Sequence, residues 1–189
     1  TYPIMVTLGI NPNYEVNTTN GTFTITKKAA TVVANNNSKT YGSTDPTLTA
    51  TVTGSMIGDV IVYTLSRTDG ENAGTYPITA TLGSNPNYEV ATSPGVFTIN
   101  PATAMVMADN KEKVHYAIDP VLTATVAGLK NGEPASLISY TMSREAGENV
   151  GTYAIYPSGA ARQGNYKVTY LPGVLTIVND TLIIAGTLY

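Results

Sequence analysis

The chain has 189 residues, 42% of them hydrophobic and only 12% charged, with a formal net charge of -3 and no cysteine. That length holds one to two domains. The absence of any Lys/Arg cluster excludes the basic face that nucleic-acid binding requires, and the absence of cysteine excludes disulfides and thiolate metal sites.

Strand patterns run along the chain. Residues 1–28 carry Tyr2, Ile4, Val6, Tyr14, Phe23 and Ile25 at positions suited to a core. In TLTATVT (47–53), Leu48, Ala50 and Val52 share one face while four threonines share the other. Val60–Leu65 reads as a further strand, as do TYPITATLG, with Tyr76, Ile78, Ala80 and Leu82 on one face, and Val96–Ile99. Alternation cut by Gly, Pro and Asn clusters predicts an all-β sandwich or barrel. No window has a 3.6-residue apolar stripe, so six or seven strands per repeat and almost no helix are expected. The longest strongly apolar run, LIIA (182–185), is far shorter than the ~18 residues of a membrane span. No membrane insertion is expected of this segment.

The same phrases return. LTATVTG (48–54) matches LTATVAG (122–128) at an offset of 74, YTLSR (63–67) matches YTMSR (140–144) at 77, and NYEV (87–90) matches NYKV (165–168) at 78. Residues 1–16 are identical to 75–90 at thirteen of sixteen positions. Self-similarity at a fixed period is the signature of a repeat architecture. The phase predicts that 1–28 is the C-terminal part of a preceding repeat, 29–100 a complete repeat and 101–178 a second. The tail 179–189 is then the first strand of another, since LIIA is similar to the VVA of 32–34. Strands whose edges and apolar faces lack partners invite pairing. Both ends are therefore expected to be ordered only by pairing with the adjacent repeat, with each other, or by strand exchange with a neighbouring chain.

The phrases K-x-Y-G-x-x-D-P (39–46), L-T-A-T-V-T-G (48–54), Y-x-L-S-R (63–67), G-E-N-A-G-T-Y-x-I-T-A (70–80) and N-Y-E-V…G-x-F-T-I (87–99) resemble the MBG repeat family. The resemblance implies tandem Ig-like β-sandwich domains, strung together in large bacterial surface and adhesin-like proteins, hence an extracellular or cell-surface location. It supplies no catalytic or ligand motif. The second repeat departs from the pattern, with His115-Tyr116 where the first has Tyr41-Gly42. A tyrosine at a positive-φ glycine position is expected to be accommodated differently, which makes the last repeat the atypical, capping one.

The chemistry legible in the residues is sparse. His115 is the sole histidine, and a catalytic or metal site built on it would exist in one copy, so it reads as one ring replacing another. No GxGxxG, Walker A, HExxH or CxxC pattern is present. No catalytic, cofactor or metal site is expected. Four charged pairs recur: Lys39/Lys113, Asp45/Asp119, Arg67/Arg144 and Glu71/Glu148. They read as fixing turns, with Glu71 pairing Arg67 across TDGENAG and Asp45-Pro46 starting a turn. Calcium on Asp69 and Glu71 is disfavoured because the D-x-D-x-D spacing is missing. An isopeptide bond would need Lys39 as donor, and it too is disfavoured. The shared Gly-x-Tyr (Gly74–Tyr76, Gly151–Tyr153) is either a tyrosine corner or a plain turn into a strand. The threonine ladder Thr47, Thr49, Thr51 and Thr53, which could bind ice or polysaccharide on a flat sheet, reads as the solvated side of a strand.

The preferred functional reading is a non-catalytic stalk or spacer, partnered by neighbouring repeats of the same chain, because repetition extends reach without an active site. Short joints such as NPA (100–102) leave little slack and favour an extended arrangement. The alternative is an adhesion module that binds a host glycan or protein. A third reading, an accessory domain to an enzyme, would need a catalytic domain elsewhere.

Overall fold

The computed structural model describes residues 1–180. Strands β1 (Tyr2–Ile4) and β2 (Gly21–Phe23) come first and pair with each other, Tyr2 opposite Phe23 and Ile4 opposite Gly21. The first full repeat holds β3 (Lys28–Ala34), β4 (Asn37–Thr40), β5 (Ala50–Thr53), β6 (Tyr63–Arg67), β7 (Gly74–Leu82), β8 (Tyr88–Ser93) and β9 (Gly95–Asn100). The second holds β10 (Ala102–Ala108), β11 (Lys111–Val114), β12 (Ala124–Ala127), β13 (Thr141–Arg144), β14 (Gly151–Ser158), the two-residue β15 (Arg162–Gln163), β16 (Tyr166–Leu171) and β17 (Gly173–Val178). One 3-10 turn, Ala135–Leu137, is the only helical element among the described residues. The chain is almost all β, and among the described residues no helix is long and apolar enough to cross a membrane.

Side-chain alternation places the strands. β3 buries Ala30, Val32 and Ala34 and exposes the residues between them, because successive side chains point to opposite faces. In the first repeat one sheet has the order β5-β3-β8 and the other β4-β9-β7-β6; in the second the orders are β12-β10-β16-β15 and β11-β17-β14-β13. The first strand of each repeat runs parallel to a late one, β3 to β8 and β10 to β16. The second strand does the same, β4 to β9 and β11 to β17.

The chain forms two compact units. The first comprises Thr1–Asn35, Leu48–Arg67 and Pro77–Gly95; the second comprises Asn36–Thr47, Thr68–Tyr76 and the residues from Val96 onward. In the first unit Ala30, Val32, Ile61 and Tyr88 form the core, with Ala50, Val52, Tyr63, Ala80 and Val90 packed against it. Strands of both sheets contribute, so the layers meet through small and β-branched side chains. In the second unit Ile155, Leu175 and Ile177 are enclosed by Ala108, Leu122, Met142 and Tyr153.

Two expectations change: the strand over 60–65, and the strand count of the second repeat, which is eight with the two-residue β15 rather than six or seven. The strand expected over 60–65 begins only at Tyr63. Val62 donates its N–H to Asn85 Oδ1 at 2.8 Å, and its carbonyl accepts from Gly83 N–H and Asn85 Nδ2. A side-chain amide thus replaces a ladder partner; Ile61 is buried, while Val60 and Val62 stay exposed. The N-terminal fragment pairs with itself, in the register of β14 on β17, where Tyr153 faces Leu175 and Ile155 faces Gly173. Residues 1–29 are all exposed. The tail reading at LIIA lies outside the described residues.

Ile155 is 0% exposed and Ile57 is 106% exposed. Ile155→Ala should cost about 2–5 kcal/mol, whereas Ile57→Ala should stay within about 0.5 kcal/mol; chemical denaturation of the two variants measures the contrast.

Candidate functional site

The recurring charges converge on one ring in the second repeat. Lys113 projects inward from β11, its side chain only 4% exposed. An ammonium has three donors, and all three are used: on Ala117 O at 3.1 Å, Asp119 Oδ1 at 2.7 Å and Glu148 Oε2. Arg144, at the end of β13, closes the ring. Its Nε and Nη2 grip Asp119 at 2.6 and 3.2 Å, and Nη2 also reaches Glu148. Its Nη1 donates to the carbonyls of Glu145 and Gly147, both at 2.8 Å. Two cations and two carboxylates alternate around the ring. Hydrogen bonds from Arg144 and then Lys113 hold the Asp119 carboxyl down at about 2. Glu148 is lowered by Lys113 and then Arg144. The Lys113 ammonium is raised by Asp119 and Glu148.

The first repeat repeats the core of this arrangement. Lys39 Nζ lies 2.6 Å from Asp45 Oδ1 and also contacts Glu71, with its own side chain 4% exposed. Burial would push its pKa down, but hydrogen bonds to Asp45 and Glu71 prevail and raise it. An isopeptide bond needs the neutral amine as nucleophile, and this environment disfavours that form. Asp45 and Glu71 sit on the two loops that follow β4 and β6. Their shared lysine ties those loops together.

The Gly-x-Tyr phrase closes the same end. Tyr76 donates its hydroxyl to Asn72 O at 2.8 Å, and Tyr153 donates to Asn149 O at 2.8 Å. This is the back-bond of a corner rather than a plain turn. The ring lies flat on a glycine: a Cβ on Gly70 would stand 2.3 Å from Tyr76 Cε1, and one on Gly147 would stand 2.1 Å from Tyr153 Cε1. Only glycine permits that approach.

The two tied loops meet residues 130–166 inside the second unit, to which every residue involved belongs. Tyr41 and Tyr166 both donate their hydroxyls to Glu133, one to each carboxylate oxygen. Their rings meet edge to face at 5.6 Å and 83°, a favoured aromatic geometry. Lys130 N–H donates to the Tyr166 hydroxyl at 2.7 Å. Burial first, and the bond to Glu133 second, push Tyr166 up to about 12. Glu133 is lowered by the bonds from Tyr166 and Tyr41. Beside the rings, Asn165 accepts from Ala73 N–H at 2.8 Å and donates to Asn72 Oδ1 at 3.1 Å. Gly42, at φ +80, lies where a Cβ would stand 2.6 Å from Lys130 Cβ. Tyr41 and Gly42 thus form a plug, and Lys130, Glu133, Asn165 and Tyr166 its socket. Residues 92 apart in sequence meet here, and no local pattern announces them.

The remaining candidates have structural partners. His115 stacks on Tyr116 with centroids 3.7 Å apart, and among the described residues no cluster of His, Cys, Asp or Glu is arranged to hold a metal. Tyr116 takes φ +63, the left-handed backbone that Gly42 takes. The expectation that tyrosine there is accommodated differently is therefore corrected: the turn is kept, Ala117 N–H reaching Val114 O as Ser43 N–H reaches Thr40 O. The threonine ladder faces outward, but it is spanned by an amide, Asn35 bonding Thr49 at 3.0 Å and Thr51 at 2.9 Å. Asp109 does the same for Thr123 and Thr125.

A model of the MBG domain (YGX type) family matches residues 30–98 and again 104–176. No curated protein matches the chain.

Depressed carboxylate pKa values stabilise the fold above the unfolded value of about 4, and that contribution is lost as pH falls through the folded value, about 2 for Asp119. The raised Lys113 contributes fully below its ordinary 10.5 and loses its contribution only as pH rises beyond it. Thermal midpoints should therefore drop between about pH 4 and pH 2, and the double change Asp119→Asn with Glu148→Gln should flatten that drop. The plug positions give a reciprocal pair. Gly42→Ala should cost at least about 1–2 kcal/mol, since a side chain in the left-handed region costs that much before any clash. Tyr116→Gly should recover about 1 kcal/mol, as read by urea midpoints.

Proposed function

The chain belongs to the MBG domain (YGX type) family, and we propose that this segment is a non-catalytic stalk or spacer in a secreted or surface-anchored bacterial protein. The single observation that carries the reading is the joint in which Tyr41, Gly42, Asn72 and Ala73 of one repeat seat on Lys130, Glu133, Asn165 and Tyr166 of the next. Pro101 alone separates β9 from β10, and a linker without an interface leaves tandem domains free to swing. Here the contact instead involves a buried tyrosine pair on one shared carboxylate, which restrains the loops that carry it. Such joints turn repetition into defined reach, which is what a spacer needs. Each repeat is read as an Ig-like sandwich because two sheets share one core and a tyrosine corner closes one end.

The test is scaling. A protein with both complete repeats should exceed either repeat alone in maximum dimension by a fixed increment in small-angle scattering. Loss of that increment on Glu133→Ala would tie it to the joint. A glycan screen should show no binding. Micromolar binding abolished by Tyr116→Ala, whose ring is 85% exposed, would replace the spacer reading with the adhesion one.

A further inference from the structure

The first repeat carries its own copy of the socket. Asp59 stands where the second repeat has Glu133, Tyr88 where it has Tyr166, Met56 where it has Lys130 and Asn87 where it has Asn165. The geometry is the same in detail. Tyr88 donates its hydroxyl to Asp59 and accepts from Met56 N–H at 2.9 Å, as Tyr166 does with Glu133 and Lys130. Asp59 N–H turns back to Met56 O at 3.1 Å, and Glu133 N–H to Lys130 O at 3.0 Å. The chain enters both repeats alike, Lys28 N–H bonding Asn87 O at 2.9 Å and Ala102 N–H bonding Asn165 O at 3.0 Å.

The difference lies in what covers it. In the second repeat the plug stands on the carboxylate and the site is shut. In the first, among the described residues, Tyr88 is the one tyrosine on Asp59. A cavity of about 230 Å³ opens beside them, lined by Ile25, Met56, Pro86 and Asn87 as well. Lys27 and Lys28 line it too, Lys28 Nζ lying 3.0 Å from Met56 Sδ, and apolar side chains stand open to solvent at and beside it: Met56 is 56% exposed, Ile57 106% and Val60 82%. Exposed apolar side chains around a half-used carboxylate mark an interaction surface.

We propose that this face docks the Tyr-Gly turn of another repeat of the same type, joined on the N-terminal side, with the tyrosine hydroxyl donating to Asp59 and the ring meeting Tyr88 edge to face. The occupant follows from the joint already described: there an equivalent carboxylate, already accepting from one tyrosine, accepts from a second that is carried on a Tyr-Gly turn. Spacing agrees. Residues 1–28 match 75–102 at the offset of 74 that also relates Asp59 to Glu133. A repeat ending in 1–28 therefore presents its tyrosine 92 residues before Asp59, the separation of Tyr41 from Glu133. The inference rests on the stalk reading only in taking the joint as a recurring device.

The experiment adds a second copy of residues 29–74 ahead of Thr1, which completes the fragment into a full repeat. Melting is compared for Asp59→Asn, for the added copy's Tyr41→Phe, and for both together. In the extended chain each single change should lower the melting midpoint, and the double change should fall scarcely further than either. In the original chain Asp59→Asn should lower the midpoint by less, since only the bond from Tyr88 is weakened there. Ultraviolet pH titration gives a second readout that does not depend on stability: Tyr88, already raised by its bond to Asp59, should ionise later still in the extended chain, and Asp59→Asn should remove that further delay. Additive effects of the two changes, or no further delay, would overturn the proposal. So would self-association of the original chain that Asp59→Asn abolishes, since the occupant would then be a second copy. None of these failures would alter the scattering increment across Glu133, so the spacer reading stands or falls separately.

Discussion

A lysine ammonium withdrawn from water is the constraint on which the rest of each repeat depends. Removing a charge from water costs several kcal/mol unless partners restore what water supplied, and Lys113 is almost fully enclosed. Its partners come from different stretches of chain: a carbonyl and a carboxylate from the loop after β11, and a second carboxylate from the turn after β13. Neither loop can drift without stranding the ammonium. The carboxylates remain partly open to solvent, so the cation has far more to lose than they do. That asymmetry makes the lysine the organiser and the acids its followers. Exposed ion pairs contribute little on their own; this one matters because its cation has no other recourse.

The same constraint explains why one phrase recurs so faithfully. In GENAGTY the glycine lets the tyrosine ring lie flat across the turn, the glutamate reaches the lysine, and the tyrosine hydroxyl bonds back to the asparagine carbonyl. Gly70, Glu71, Asn72 and Tyr76 thus each have a separate physical task within seven residues. In the first repeat the turn goes on to present Asn72 and Ala73 to Asn165. Lys39, two residues before Tyr41, holds the other half of the joint in place through Asp45. The charged cluster is therefore structural in its own repeat and positional for the next one.

The strands were legible because β3 and β5 alternate cleanly, and the repeats because the chain repeats its own words. Pairing partners were not legible. Period-2 patterning says which face a residue takes but not which strand lies alongside, and the parallel pairing of β3 with β8 is set by the whole fold. The reading at Val60–Val62 failed for a related reason, since Asn85 supplies hydrogen bonds that no propensity scale anticipates. Of the recurring charges, the glutamate–arginine pairing is seen directly as Glu148 with Arg144. The lysine's place at the centre was missed: Lys39 and Lys113 read only as two of the charges that fix turns, and spacing alone does not show partners from two loops converging on one ammonium. Glu133 was invisible: it lies in NGEP, an ordinary loop string, and its partners stand 33 and 92 residues away.

The two repeats keep the ring and change the plug, and that division has a physical logic. The ring closes within one repeat, so altering any member harms the domain that carries it. The plug faces outward and needs only to match the socket it meets. Tyr116 holds the left-handed turn without glycine's freedom, which stores strain, and it presents a stacked His-Tyr pair where the first repeat presents a phenol and bare backbone. A socket cut for Tyr-Gly leaves no room at the glycine position, where even a Cβ would collide with Lys130. A plug that carries Tyr116 is therefore excluded from the socket that accepts Gly42. The glycine-to-tyrosine exchange thus changes what this turn can seat against.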